Sequence, residues 1–233
     1  MAQPEQSPAD PAARPLSGII TALEVQQRDP ERVNLYLDGR FAFGLSNKVV
    51  ADAGLKKGDV LNGAQVAALL QREALHQALQ QAFNYLSYRQ RSEHELRRYL
   101  AQKGHAPETI DAVLARLRDY HFVDDAVFAI SWVENRRRFR PRGARLLRAE
   151  LRQKGVPREV ADQAMADAGG DERALAMDAA TRKLATLQAA DYQQFGRKLG
   201  GFLLRRGFAP DVVWEVVRDL WAQRSGETPP PVD

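Results

Sequence analysis

The chain has 233 residues, 44% hydrophobic and 27% charged, enough apolar material for one large core or a small domain joined to a larger array. It contains no Cys, which excludes disulfides and thiolate metal sites; no apolar run approaches the roughly 18 residues of a membrane span, and residues 1–15 lack the apolar stretch of a secretory signal. The net charge of +4 is unevenly spread: Arg89 to Lys154 holds 16 Lys and Arg against 9 Asp and Glu, a local +7 that leaves −3 elsewhere. We therefore expect a cytoplasmic protein whose middle faces an acidic partner or a phosphate backbone.

Residues 1–16, rich in Pro, Ala and Gln, are expected to be disordered, as is 224–233 with its Pro229-Pro230-Pro231 run. Residues 17–62 read as a small β-rich extension. Ile19, Thr21, Leu23 and Val25 alternate with Ile20, Ala22 and Glu24 at the period of a half-buried strand. A turn at Asp29-Pro30 follows, then Val33, Leu35 and Leu37 alternate up to Asp38-Gly39, a hairpin signal, with Phe41, Phe43 and Leu45 beyond it. A two-residue turn would place Tyr36 opposite Phe41 and split the apolar residues between faces. A three-residue loop, Leu37-Asp38-Gly39, pairs Leu35 with Phe41 and Val33 with Phe43, so it is the expected arrangement. Such a sheet needs a helix against it.

After Gly63 no further convincing strand is found, and an internal repeat takes over. Leu100-Ala101-Gln102-Lys103-Gly104, Leu151-Arg152-Gln153-Lys154-Gly155 and Leu203-Leu204-Arg205-Arg206-Gly207 recur at spacings of 51 and 52, each followed by a Pro at 107, 157 or 210. Gly ends one helix in the left-handed conformation and Pro opens the next, where a missing N–H costs nothing. Amphipathic spacing follows each Pro: Ile110, Val113, Leu114 and Leu117 in the first copy, and Val212, Val213, Val216, Val217 and Leu220 in the third, with a weaker second copy. The predicted helices are 64–89, 92–103 and 107–120; 125–138, 142–154 and 157–168; and 171–187, 191–206 and 210–223. They form three three-helix units, 63–121, 122–169 and 170–223. Short helices of this kind are marginal alone, so neighbouring units must share a core. The expected fold is mainly α: tandem three-helix repeats in an elongated curved array, with a small N-terminal antiparallel β-hairpin or sheet.

The polar clusters read as structural. Ser92-Glu93-His94-Glu95 fits a capping box, and Asp124-Asp125 fits an N-cap with a first-turn charge better than a magnesium site. His76, His94, His105 and His121 show no ligand spacing. No nucleotide-binding loop or nucleophile motif is present, and Gly200-Gly201 sits inside a helical pattern, which suits close helix packing. Nothing looks catalytic, and no cofactor or metal is expected. One cluster exceeds what capping requires: Arg136, Arg137, Arg138, Arg140, Arg142, Arg145 and Arg148, spanning a helix end, the Pro141-Arg142-Gly143 turn and the next helix start. Guanidinium forks suit carboxylates and phosphates alike, so the cluster specifies an anionic partner without saying which.

These pieces together resemble the RecX family of bacterial recombination regulators. The resemblance is densest from Tyr85 through Arg89, Arg91, Ser92, Glu95, Leu96 and Leu100 to Lys103-Gly104, and continues at Leu117, Asp124-Asp125, Phe128-Ala129 and Trp132 to Arg136. Gly143, Leu147, Glu150-Leu151 and Lys154-Gly155 carry it into the second unit. It covers 82–168 densely and the third unit more loosely, up to Leu220. His121-Phe122-Val123 departs mildly from the pattern, and residues 17–61 resemble an N-terminal extension of some longer members. The resemblance implies a non-enzymatic, monomeric inhibitor that binds the groove of the RecA filament on single-stranded DNA and lowers its extension, ATPase and strand exchange in DNA repair. Contacts to RecA or DNA would fall to the seven arginines above together with Arg89 and Arg91, through charge-assisted hydrogen bonds. The competing reading is a stand-alone DNA binder using 92–103 and 107–120 as a helix-turn-helix. Glu108 and Asp111 would give that second helix an acidic face ill-suited to a major groove. A third reading, a nuclease, predicts magnesium-dependent cleavage abolished by Asp125→Asn.

Overall fold

The computed structural model describes residues 17–225. The expectations for 1–16 and 226–233 lie outside them, whereas Arg224 and Ser225, assigned above to the tail, complete the last helix. The described chain runs β1 (Gly18–Val25), β2 (Arg32–Leu37), β3 (Arg40–Ser46), α1 (Asn47–Asp52) and β4 (Val60–Leu61), then nine helices. These are α2 (Gly63–Tyr88), α3 (Glu93–Gln102), α4 (Pro107–Asp119), α5 (Asp125–Phe139), α6 (Ala144–Gln153), α7 (Arg158–Asp167), α8 (Glu172–Leu184), α9 (Tyr192–Arg205) and α10 (Pro210–Ser225). Each of the nine overlaps its expected span, the largest difference being α8, which stops at Leu184 rather than 187. Two compact units emerge, one running to Ser87 and including Leu100–Ala115, the other made of Tyr88–Tyr99 and the chain from Arg116.

The first unit holds an antiparallel sheet of order β3-β2-β1-β4. Its hairpin corrects the expected register. Leu37 pairs with Arg40 and Tyr36 with Phe41 across a two-residue turn, whose Asp38 (φ 49°) and Gly39 (φ 78°) both adopt the left-handed region. The register then shifts so that Leu35 meets Phe43 and Val33 meets Leu45, which makes Ala42 the extra residue of a bulge. That bulge resolves the face problem that had argued for a longer loop. Val33, Leu35, Leu37, Phe43 and Leu45 all turn inward, while Phe41 stays outside, edge-on to Tyr36 with ring centroids 5.9 Å apart. A second bulge in β1, between Ile20 and Ala22, sets Ile20 opposite Leu37 and Leu23 opposite Leu35. The helix that the sheet requires is the first half of α2, whose Val66 and Leu69 complete the core with Val49 and Leu61. Sequence reading missed α1, capped by the Ser46 hydroxyl, and the two-residue β4. Glu73 of α2 is buried against the sheet: its carboxylate accepts from the Ser46 N–H (2.7 Å) and the Gln77 amide (2.7 Å) and pairs with Arg32 at 3.0 Å. Burial raises its pKa, and these partners more than reverse that, leaving it below the ordinary carboxylate value.

In the second unit the repeat explains itself. Gly155 (φ 76°) and Gly207 (φ 85°) end α6 and α9, and the next N–H reaches back five residues, Val156 to Leu151 and Phe208 to Leu203. Pro210 opens α10 as expected, but Pro157 is the N-cap residue of α7, because the second copy has one residue fewer between Gly and Pro. Each turn then docks on the start of the middle helix one repeat earlier. The Ser92 hydroxyl donates to the Lys154 carbonyl at 2.6 Å, and Lys154 Nζ reaches Glu95 at 2.6 Å. One repeat on, the Gly143 N–H donates to the Arg206 carbonyl at 2.9 Å, and Arg206 Nη1 donates to the Pro141 carbonyl at 3.1 Å. The glycines permit this approach: a methyl group on Gly143 would overlap the Gly207 carbonyl, and one on Gly155 would overlap His94. Gly200, read as a packing glycine, lies against Trp214, where an added Cβ would stand 3.0 Å from the indole.

Candidate functional site

The Arg136–Arg148 run begins on the last turn of α5. Asp124 caps the start of that helix, accepting from the Ala126 and Val127 N–H groups at 2.8 and 3.1 Å. Arg140 closes it with an N–H bond to the Arg136 carbonyl and leaves the helical region (φ −147°, ψ 75°), which the following Pro141 disfavours. Pro141 is buried, and Gly143 caps α6 without a side chain. The run therefore bends around a tight corner, which brings Arg136 and Arg142 to the same carboxylate and turns the others elsewhere.

The predicted contact residues separate by what they touch. Arg136 and Arg142 belong to an internal node around buried Glu150, which pairs with both and accepts from the Trp132 indole N–H at 2.8 Å. Arg136 also lies 4.2 Å over the Trp132 ring, with Lys154 Nζ at 5.2 Å. Arg137 is half-buried and donates to the Met165 carbonyl at 3.3 Å; burial lowers its pKa, with nearby Glu172 opposing. Arg145 reaches the Leu204 carbonyl at the end of α9, and Arg148 pairs with Asp162 at 2.6 Å. Arg89 pairs with Glu95 at 2.9 Å, and Arg91 is half-buried. Glu95 tends upward in pKa by burial, but Arg89 and Lys154 hold it down at about 2. Arg138 and Arg140 remain exposed; Arg138 stands 5.3 Å over the ring of Phe139, and Arg140 has no side-chain partner among the described residues.

The structure adds a basic surface that the sequence reading missed. Arg206 shares its surroundings with Arg140 and Arg182; burial lowers its pKa, and the charges of those two arginines lower it further. Its guanidinium lies 4.7 Å over Phe202, and Lys183 Nζ lies 5.9 Å from the same ring. Two shallow depressions meet there. One, about 190 Å³, is lined by Phe139, Arg140, Arg182 and Arg206 among others; its neighbour, about 620 Å³, by Arg197, Lys198 and Arg205; both include Lys183 and Phe202. Among the described residues, no carboxylate lines either. A signal was present: the position before the turn glycine is basic in all three copies (Lys103, Lys154, Arg206). The third of these, Arg206, lies beyond the basic segment 89–154.

The other candidates resolve locally. Ser92 and Glu95 form the capping box, with Glu95 N–H to Ser92 Oγ at 3.2 Å and Ser92 N–H to Glu95 Oε2 at 3.4 Å. Asp125 accepts from the Glu93 N–H at 2.9 Å, and burial raises its pKa. His105 bonds Gln81 at 3.1 Å, and His94 packs on Gly155. Among the described residues no three His, Asp or Glu side chains gather as a metal site, and no helix is long and apolar enough to cross a membrane.

Comparison with known proteins accounts for the fold in four pieces. Family models for the RecX N-terminal domain and the first, second and third RecX three-helix domains match residues 18–62, 78–117, 124–165 and 171–217. The β extension thus has its own counterpart in the family. A "Regulatory protein RecX" of Levilactobacillus brevis is 36% identical over 205 residues, covering 87% of this chain and 76% of the relative. One from Clostridium botulinum is 30% identical, covering 86% and 95%. A crystal structure of regulatory protein RecX superposes with a TM-score of 0.66 at 28% identity, covering 88% of this chain and all of that one. RecX from Lactobacillus salivarius, at 20% identity and a TM-score of 0.57 over 64% of this chain, shares the fold. Four domains in the family's order, covering most of the described chain and set on the geometry above, make this chain a member of the RecX family.

Proposed function

We propose that this protein is a cytoplasmic, monomeric, cofactor-free inhibitor of the RecA recombinase that binds the filament on single-stranded DNA. There it reduces extension, ATPase and strand exchange. Membership of a family whose relatives bear the name of regulatory proteins supports this reading. The observation that carries it is the cluster of exposed cations at the end of α5, Arg138 and Arg140, which lack an intrachain carboxylate partner among the described residues. The three helical units, 63–121, 122–169 and 170–223, supply the binding surface, and 17–62 supports them. Arg136, Arg137 and Arg142 act by holding the corner in shape, while Arg138 and Arg140 make the contacts, with Arg89, Arg91, Arg145 and Arg148 along the flanks.

The test adds the purified protein, well below equimolar, to RecA hydrolysing ATP on single-stranded DNA. The expected result is a fall in ATPase rate, weakened by Arg138→Glu with Arg140→Glu in a variant of unchanged circular dichroism. An unchanged rate at molar excess of the wild-type chain rules the reading out.

A further inference from the structure

The ends of α5, α8 and α9 converge on one face of the second unit, and its composition is unusual even for helix C-termini. Basic residues in a last turn answer the helix dipole, which accounts for about one cation at each end. Here Arg140, Arg182, Lys183, Arg205 and Arg206 gather around two aromatic rings. The only carboxylate paired with any of these five is Asp178, 2.8 Å from Arg182, among the described residues. Phe202 forms the wall common to both depressions, with the Lys183 and Arg206 cations over its ring. Phe139, 61% exposed, projects from the end of α5 into the same depression as Arg140 and Arg206.

An acidic protein surface would use the cations and leave Phe139 without a purpose. A duplex would use them too, but its bases offer no free faces to a ring. Alternating phosphates and unpaired bases engage both. Positive charge along a groove tracks the backbone, and an exposed ring stacks on a base whatever its sequence. We infer that this face binds single-stranded nucleic acid, with phosphates held by Arg140, Lys183 and their neighbours and a base stacked on Phe139. The inference rests on the filament reading and deepens it: the basic surface meets the DNA strand rather than the recombinase protein.

The test measures binding of a fluorescein-labelled oligo-dT to the full chain, without RecA, by anisotropy at low and moderate salt, with a duplex of equal length and poly-glutamate as comparators. The chain should bind oligo-dT, and Phe139→Ala should weaken that binding roughly five-fold or more while leaving duplex affinity unchanged, in keeping with stacking energies. Phe139→Trp should restore it. Arg140→Glu and Lys183→Glu should weaken both nucleic acids and flatten the salt dependence. Phe139 is exposed, so the variant folds, and circular dichroism verifies this. Three results overturn the inference: no oligo-dT binding at low salt, oligo-dT binding indifferent to Phe139→Ala, or poly-glutamate bound as tightly as oligo-dT. If the wild-type chain lowers RecA ATPase but fails to bind oligo-dT, this inference falls and the filament reading stands. Oligo-dT binding sensitive to Phe139 with no effect on RecA has the opposite meaning.

Discussion

Gly143→Ala should be among the most damaging single methyl additions in the helical part of the chain, although Gly143 has ordinary backbone angles (φ −73°). The added methyl would overlap the carbonyl of Gly207, and backbone cannot rotate aside as a flexible side chain can. Relief requires the start of α6 to part from the Arg206-Gly207 turn, stretching the Gly143 N–H bond to the Arg206 carbonyl and the Arg206 bond to Pro141. Overpacking of this kind costs about 1–3 kcal/mol, and each weakened hydrogen bond adds about 0.5–1.5 kcal/mol. Against this, alanine restricts the unfolded chain and returns about 0.4–1 kcal/mol. The net expectation is a loss of about 1–5 kcal/mol, centred near 3 kcal/mol. Gly169→Ala is the control: its φ of +58° carries the usual left-handed penalty of about 1–2 kcal/mol, but nothing lies within 4 Å of the added methyl. All three tryptophans, Trp132, Trp214 and Trp221, lie in the second unit with both glycines, so urea unfolding followed by tryptophan fluorescence reports the relevant transition. If Gly169→Ala proves the more damaging, local backbone strain rather than repeat docking governs these glycines, and the argument from close approach is wrong.

Glu95→Gln should destabilise by about 2 kcal/mol at neutral pH, after allowing for the partial exposure of Arg89. Its folded pKa of about 2 lies below the ordinary 4.5, so the stabilisation is complete above about pH 4.5 and disappears as pH falls toward 2. Urea midpoints of wild type and variant should converge over that window; a gap that persists at pH 2 contradicts the ion-pair account. Glu150→Ala should cost about 3–5 kcal/mol in thermal unfolding, since it leaves Arg136, Arg142 and the Trp132 N–H without their shared acceptor. Arg140→Ala, exposed and without such a partner, should stay within about 0.5 kcal/mol of wild type by the same measurement. Glu73→Ala should lower the stability of the first unit by about 2–4 kcal/mol, seen as accelerated amide exchange at Ser46, whose N–H loses its acceptor.

What the sequence determined is what depends on neighbours a few residues apart. The period of the apolar residues, Gly at each helix end and Pro at each start are local instructions, so the nine helices α2 to α10 and the threefold repeat were legible, as were the Ser92 capping box and the Asp124 cap. Asp38-Gly39 announced a hairpin for the same reason. The bulge at Ala42 was not legible, because choosing which face of β3 turns inward depends on Leu35, Leu45 and the α2 side chains beneath them. Nor could the arginine run be sorted by reading along it. Whether a guanidinium serves a buried carboxylate or faces solvent depends on groups far along the chain: Glu150 claims Arg136 and Arg142, and Leu204 claims Arg145. The face around Phe202 is the same lesson in reverse. Arg140, Lys183 and Arg206 are distant in sequence, and only packing of α5, α8 and α9 makes their charges neighbours. Local rules write the helices, and long-range contacts decide which side chains remain free to meet a partner.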